Sequence, residues 1–117
     1  MTVEGEIFAS IKGLCGNRAF PDVAPSTVAK PYVTYTQVGG EPLSTVAGVS
    51  SLQHGRFQFN VWGDSRGACS LLMKQIEAAL VAATAFKSRP VSAPNSSYDS
   101  DMLLYGSMQD FSIFSPR

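Results

Sequence analysis

Apolar and polar side chains alternate along the stretch Arg56-Phe57-Gln58-Phe59-Asn60-Val61-Trp62, which Gly63-Asp64-Ser65 follows directly. A period of two places Phe57, Phe59 and Val61 on one face, as expected for an antiparallel strand that is covered on one side. Gly63-Asp64-Ser65 then supplies a turn and a helix N-cap. The stretch therefore predicts a half-buried strand that leads directly into a helix.

A long helix is predicted from residue 66 to about residue 85, because apolar residues recur there at helical spacing. Its apolar stripe comprises Cys69, Leu72, Met73, Ile76, Ala79, Leu80 and Ala83. A shorter helix is predicted at the N-terminus, with Thr2 as its N-cap and Gly13 or Gly16 at its end. Its apolar face comprises Val3, Ile7, Ile11 and Leu14.

Three further strands are predicted from composition. Residues 32–38 are almost all β-branched or aromatic, which favours a half-buried strand. Residues 86–92 contain Pro90, which cannot donate to a neighbouring strand, so this strand is predicted at a sheet edge. Residues 102–114 form the last predicted strand.

In the last predicted strand, the apolar residues do not all fall on one face. Phe111 and Ile113 would face one way, while Leu104 and Met108 would face the other, so we predict a bulge near residues 106–110. The predicted helices and strands follow one another in the order α-β-β-α-β-β. The predicted fold class is α+β, with an antiparallel sheet of about four strands packed against the long helix and the N-terminal helix alongside.

The length and composition favour a neutral, associating domain. The 117 residues are predicted to form a single domain, residues 1–117. Nine basic residues balance nine acidic ones, and only 15% of residues are charged, against about 25% in typical domains. This balance disfavours binding to phosphate backbones or anionic membranes and promotes association. No run of apolar residues is long enough for a membrane span, and Glu4 and Glu6 argue against a signal peptide.

Long loops occupy much of the predicted fold, at about residues 15–31, 39–51 and 93–101. Loops of this length in a compact domain are usually functional. They carry apolar residues with little charge, which indicates contacts with other proteins. We predict that residues 41–51 form one such contact element, which is mobile in the free subunit. Its candidate contact residues are Glu41, Leu43, Val46 and Val49.

The sequence offers few groups for catalysis or metal binding. His54 is the only histidine; it could act as a base beside Ser50, Ser51 or Cys15, but we expect it to face solvent. Cys15 and Cys69 lack the spacing of a metal or redox site and are expected to be small apolar residues. Asp99-Ser100-Asp101 lacks the glycine and glutamate of a calcium loop. We predict no catalytic residue, no cofactor and no metal; a small cytosolic enzyme that uses Cys15 or His54 is the weaker alternative.

Four segments, taken in order, resemble the small phage tail-completion (tail-terminator-like) family. They are Arg18-Ala19-Phe20-Pro21-Asp22-Val23-Ala24-Pro25, Lys30-Pro31-Tyr32-Val33-Thr34-Tyr35, Arg56-Phe57-Gln58-Phe59-Asn60-Val61-Trp62-Gly63-Asp64-Ser65 and Asp110-Phe111-Ser112-Ile113-Phe114. Each segment is a short structural motif, and their succession over nearly the whole chain carries the resemblance.

The resemblance implies a non-enzymatic assembly protein of a phage or prophage, made in the cytoplasm of the bacterial host. Such proteins form a ring, commonly a hexamer, at the head-proximal end of the virion tail. The implied partners are further copies of the chain, the major tail tube protein and the head–tail connector. DNA passes through such a ring without specific binding, and no membrane is involved. Another head-completion or minor tail structural protein is the alternative.

Overall fold

The computed structural model describes residues 2–25, 27–41, 44–45, 48–49 and 52–116, with residues 44–45 and 48–49 described by their backbone alone. The elements in chain order are α1 (Val3–Ile11), a 3₁₀ turn (Lys12–Leu14), β1 (Ala19–Pro21), β2 (Tyr32–Gln37), β3 (Ser44–Thr45), β4 (Gly48–Val49), β5 (Leu52–Gly63), α2 (Arg66–Ala82), β6 (Lys87–Pro90), β7 (Asn95–Asp99) and β8 (Leu104–Pro116).

Six strands form the main sheet, in the order β1-β2-β5-β8-β6, and β7 also pairs with β8. Strand β5 pairs with one edge of β8 along nearly the whole of β8. Strands β6 and β7 therefore lie one after the other along the other edge of β8. All pairs are antiparallel except β1 with β2. Strands β3 and β4 form a separate two-stranded pair.

Both helices cover one face of this sheet, and the hydrophobic core lies between the two layers. Phe57, Phe59 and Val61 of β5 are almost completely buried there. The partners that enclose them are Ile7 and Ile11 of α1, Cys69, Leu72, Met73, Ile76 and Leu80 of α2, Val33 and Tyr35 of β2, and Phe111 and Ile113 of β8. The α+β class and both helices are therefore confirmed.

Both helices begin at the predicted caps. Thr2 Oγ1 accepts a hydrogen bond from the Gly5 N–H at 3.1 Å, and Ser65 Oγ accepts one from the Ala68 N–H at 3.2 Å. Each bond satisfies a backbone donor that has no partner within the helix itself. Helix α2 ends at Ala82, slightly before the predicted end near residue 85.

The prediction of about four strands is wrong, because β1 and β7 also join the sheet. Strand β1 lies in the predicted loop 15–31 and is only three residues long. Strand β7 lies in the predicted loop 93–101, and all five of its residues are exposed. An exposed edge strand pairs mainly through backbone hydrogen bonds, so it needs no apolar alternation that a sequence pattern could reveal. The short β3–β4 pair similarly lies in the predicted loop 39–51.

The predicted bulge in the last strand is also wrong. Strands β5 and β8 pair without interruption over twelve positions, from Leu52↔Pro116 to Gly63↔Tyr105. The helix-facing side of β8 instead carries the buried polar residues Ser107 and Gln109. The irregularity lies on the other edge, where residues 91–94 between β6 and β7 stand opposite only two residues of β8.

Candidate interaction surfaces

The predicted contact segment starts beside His54. Glu41 is exposed, and its backbone N–H donates a hydrogen bond to Nδ1 of His54 at 2.9 Å. Leu43 and Val46 lie outside the described residues. The backbone of Val49 pairs with Ser44 in the β3–β4 pair. Of the four candidate contact residues, only Glu41 therefore has a described side chain.

His54 itself is half-buried, so the prediction that it faces solvent is wrong. Its Nε2 lies 2.6 Å from Oγ of Ser112, and its ring lies 4.5 Å from that of Phe114, between centroids. Because Nδ1 accepts from Glu41, the neutral ring carries its proton on Nε2 and donates it to Ser112. A histidine that donates to a serine is not placed to remove the serine proton, as nucleophile activation requires. His54 instead connects the 41–51 segment to the sheet.

Both cysteines are packing residues, as predicted. Cys15 and Cys69 are free thiols with 2% and 0% of their surface exposed. The thiols donate weak hydrogen bonds to the carbonyl oxygens of Ile11 and Tyr105, respectively. Burial raises the pKa of both thiols, which lowers the fraction of reactive thiolate. Neither thiol has the exposure or the low pKa of a nucleophile.

The described part of the chain holds neither a metal-binding cluster nor a membrane helix. No group of three or more His, Cys, Asp or Glu side chains there is arranged to hold a metal ion. None of the helices in those ranges is long and apolar enough to cross a membrane.

The sheet face opposite the helices carries a mixed polar and aromatic surface. Strands β5 and β8 contribute to it the side chains that alternate with the core, including Trp62 and Met108. Near its centre, Arg56 donates from Nε and Nη2 to Asp110 Oδ2, at 2.9 and 2.8 Å. This ion pair makes the centre of the face neutral.

A groove opens where β6 lies beside β8. It has a volume of about 150 Å³ and is lined by Lys87, Ser88, Arg89, Ser112 and Phe114. We call these five residues the β6 groove. Lys87 and Arg89 form no salt bridge with any residue that the structure describes. The groove therefore combines an aromatic wall with two positive charges that have no ion-pair partner in the described part of the chain.

Strands β7 and β8 form a hairpin, and the turn between them lies at the other end of β8 from the groove. We call residues 99–103 the hairpin tip. Asp99 Oδ1 accepts hydrogen bonds from the backbone N–H groups of Asp101 and Met102, at 3.0 and 3.2 Å. Met102 and Leu103 are 64% and 67% exposed. Leu103 has a backbone φ of 54°, which is unfavourable for a large side chain. The tip thus presents two exposed apolar side chains directly after two acidic residues.

The hairpin tip was missed at the level of sequence, because Met102 and Leu103 were predicted to lie inside the last strand. A usable signal was present, since Asp99-Ser100-Asp101 has the composition of a turn and Met102-Leu103 follows it directly. The sequence shows that Lys87 and Arg89 are positively charged. Their position beside Phe114 depends on the register between β6 and β8, which has no local signal in the sequence.

Comparison with known proteins assigns the chain to a family. The family described as tail completion protein gp17 matches residues 8–115. The chain belongs to this family. The predicted resemblance is thereby confirmed, and this tail completion protein is a structural component of a bacteriophage tail. A comparison with curated proteins found no match.

The fold of this tail completion protein also occurs in a solved structure of a gene transfer agent particle. A chain of the structure titled "Virion of native gene transfer agent (GTA) particle" is similar, with a TM-score of 0.73 and 14% sequence identity. The similarity covers 98% of this chain and 95% of the other. At this level of identity the likeness concerns the fold.

Proposed function

We propose that this tail completion protein forms a ring that closes the head-proximal end of the tail tube and joins it to the head connector. The observation that carries the proposal is the exposure of apolar side chains on separate parts of the surface. Leu71 and Val81 of α2 are 59% and 54% exposed, and Met102 and Leu103 of the hairpin tip are exposed further still. A subunit that contacts neighbours on several sides accounts for this distribution.

A ring requires such a distribution because its contacts are heterologous. Each subunit offers two different lateral surfaces to its neighbours, in addition to the axial surfaces that meet the tube and the connector. Four contact surfaces on 117 residues leave little area for solvated charge, in agreement with the charged fraction of 15%. The zero formal net charge further favours association between copies.

The 41–51 segment is proposed as one of these contact elements, through Glu41, Leu43, Val46 and Val49. Its support is the attachment of the segment to the sheet, where the Glu41 N–H binds His54 and His54 binds Ser112. This attachment fixes the start of the segment beside the sheet. The proposed role is structural, so no bond is made or broken.

The experiment that tests this function is electron microscopy of the purified chain mixed with tail tubes of its own phage. We expect additional density at one end of each tube, and tubes so capped should not elongate when tube protein is added. The matched control is the same chain mixed with isolated head connectors. Absence from tube ends, or binding to connectors alone, would contradict the proposal and favour a head-completion role.

A further inference from the structure

We propose that the hairpin tip of one subunit docks into the β6 groove of a second copy of the chain. The inference rests on the proposed function, because it supplies the lateral contact of the ring. Both surfaces belong to the β7–β8–β6 part of the sheet, but they lie at its two ends. Their charges, their shapes and the distance between them support the pairing.

The charges of the two surfaces are complementary. Lys87 and Arg89 line the groove, while Asp99 and Asp101 are part of the tip. No described residue forms a salt bridge with any of these four side chains. Complementary charges of this kind steer two surfaces together and fix their orientation. Docking would pair these four charges, which have no ion-pair partner among the described residues of one subunit.

The apolar parts of the two surfaces also match. The β6 groove, with a volume of about 150 Å³, is large enough for a benzene-sized group, and therefore for a leucine or methionine side chain. Phe114 provides its aromatic wall. Leu103 and Met102 project at the tip with about two thirds of their surface exposed. Insertion of Leu103 would remove apolar surface from water on both partners.

The conformation of the tip supports a binding role. Leu103 adopts a φ of 54°, a region where large side chains are rare and the backbone is strained. The hydrogen bonds from Asp101 and Met102 to Asp99 Oδ1 hold the turn in place. An exposed leucine in a strained conformation does not stabilise the isolated subunit. It does present an apolar side chain from a turn that hydrogen bonds hold together.

The two surfaces of one molecule cannot meet each other. The tip adjoins Leu104 and the groove contains Phe114, and both residues belong to the same strand, β8. Ten residues of extended strand separate these positions by about 33 Å. The contact must therefore join two molecules. Because it uses two different surfaces, it repeats from copy to copy and generates a ring when the rotation closes.

A charge exchange tests the pairing. The groove variant K87E/R89E gives both surfaces negative charge, and the tip variant D99N/D101K gives both positive charge. The D99N change retains the side-chain oxygen that caps the turn. We expect each variant to weaken self-association at least about tenfold in sedimentation velocity at low salt. We expect the chain that carries all four substitutions to recover most of the association. If the chain with all four substitutions associates as weakly as the two double variants, the proposal is wrong.

The substitution L103N tests the apolar contact without endangering the fold. Asparagine tolerates the left-handed conformation better than leucine does, so the melting temperature should not fall. Self-association should nevertheless weaken about tenfold. The control is T84N, an exchange at an exposed polar position outside the tip. Equal effects of L103N and T84N would contradict a specific contact.

Tube capping separates this inference from the proposed function. If the wild-type chain caps tubes and the charge variants cap equally well, the tip–groove contact is wrong and the tube-closing role stands. If charge exchange restores self-association but the wild-type chain never binds tube ends, the contact stands and the proposed function is wrong. If the wild-type chain neither associates nor caps tubes, both proposals are wrong.

Discussion

Arg66 Nη1 donates a hydrogen bond to the carbonyl oxygen of Gly106 at 2.6 Å, although 40 positions separate the two residues in the chain. The second terminal nitrogen, Nη2, donates to the carbonyl oxygen of Ser97 at 2.5 Å. The guanidinium carbon lies 5.5 Å from the centre of the Tyr105 ring. Arg66 thus connects the start of α2 to both strands of the hairpin that ends in the tip.

Substitution of Arg66 should loosen this hairpin. We expect Arg66→Ala to lower the free energy of unfolding by about 1–3 kcal/mol, because hydrogen bonds from a charged donor are lost. The stability of Arg66→Lys should lie between those of the wild-type chain and Arg66→Ala, since one ammonium group cannot reproduce the forked geometry of a guanidinium. Urea denaturation followed by circular dichroism measures both. Wild-type stability of Arg66→Ala would show that these bonds contribute nothing.

Gln109 should be sensitive to charge. Its Nε2 donates to Glu77 Oε1 at 2.8 Å and to the Ser92 carbonyl oxygen at 2.9 Å, and the residue is only 2% exposed. Gln109→Glu places a second carboxylate beside Glu77, so we expect a loss of about 2–4 kcal/mol at neutral pH. The loss should shrink as the pH falls and one carboxylate is protonated. The control is Gln75→Glu on the exposed side of α2, which should be nearly neutral.

Two glycines should respond in opposite ways to alanine. A Cβ at Gly106 would lie 2.6 Å from Ser97 Oγ and 3.0 Å from the Trp62 ring, so Gly106→Ala should cost about 1–3 kcal/mol. Gly67 lies in α2, and a Cβ there meets nothing within 4 Å. Gly67→Ala should therefore stabilise the fold by up to about 1 kcal/mol. Thermal unfolding of the two variants checks both signs.

Stability should decline at alkaline pH. Burial raises the pKa of Cys15 and Cys69, and burial together with the nearby carboxylates Glu4 and Asp22 raises the pKa of Tyr35. The unfolded chain then releases these protons at lower pH than the folded chain. The stabilisation is complete below the unfolded thiol pKa of about 8.5 and is lost as the pH rises through the higher folded values.

Denaturation midpoints measured between about pH 7 and pH 10.5 test this decline, because that range spans the ordinary thiol and phenol pKa values. The double variant C15A/C69A removes both thiols, so its stability should fall less steeply in the lower part of this range. It should also be less stable than the wild-type chain at neutral pH, because alanine leaves space in the core. Parallel curves for the two proteins would contradict the assignment to the cysteines.

His54 should control the order of the segment that begins at Glu41. Loss of the ring in His54→Ala removes the acceptor of the Glu41 N–H and the donor to Ser112 Oγ. We expect faster hydrogen exchange at the Glu41 amide, with core strands unchanged. His54→Gln, whose side-chain amide can still accept and donate hydrogen bonds, should partly restore protection. Unchanged exchange in His54→Ala would show that the ring does not hold the segment.

Local patterns predicted the elements that face the core. The alternation at Phe57, Phe59 and Val61 and the cap at Ser65 follow from contacts with a single covering layer, and the structure contains them as predicted. Strand β7 could not be predicted in this way. Its residues, Asn95 to Asp99, are exposed and pair through the backbone, so their side chains carry no periodic signal.

The candidate surfaces depend on long-range pairing. Lys87 lies beside Phe114 only because β6 pairs with β8 at one particular register. Leu104 and Met108 suggested a bulge because the sequence pattern did not allow for buried polar residues on the core side of β8. Gln109 resolves this conflict, since its hydrogen bonds to Glu77 and Ser92 permit a polar side chain there. The contact role of the 41–51 segment stays a prediction.

The unbroken pairing of β5 with β8 has a mechanical consequence. Hydrogen bonds between antiparallel strands run perpendicular to the strands. A pull along the strand axis therefore shears all twelve paired positions together, whereas a pull across it would peel them apart one by one. The sheet therefore resists extension most strongly along β5 and β8. A joint built from such subunits would transmit tension along these two strands.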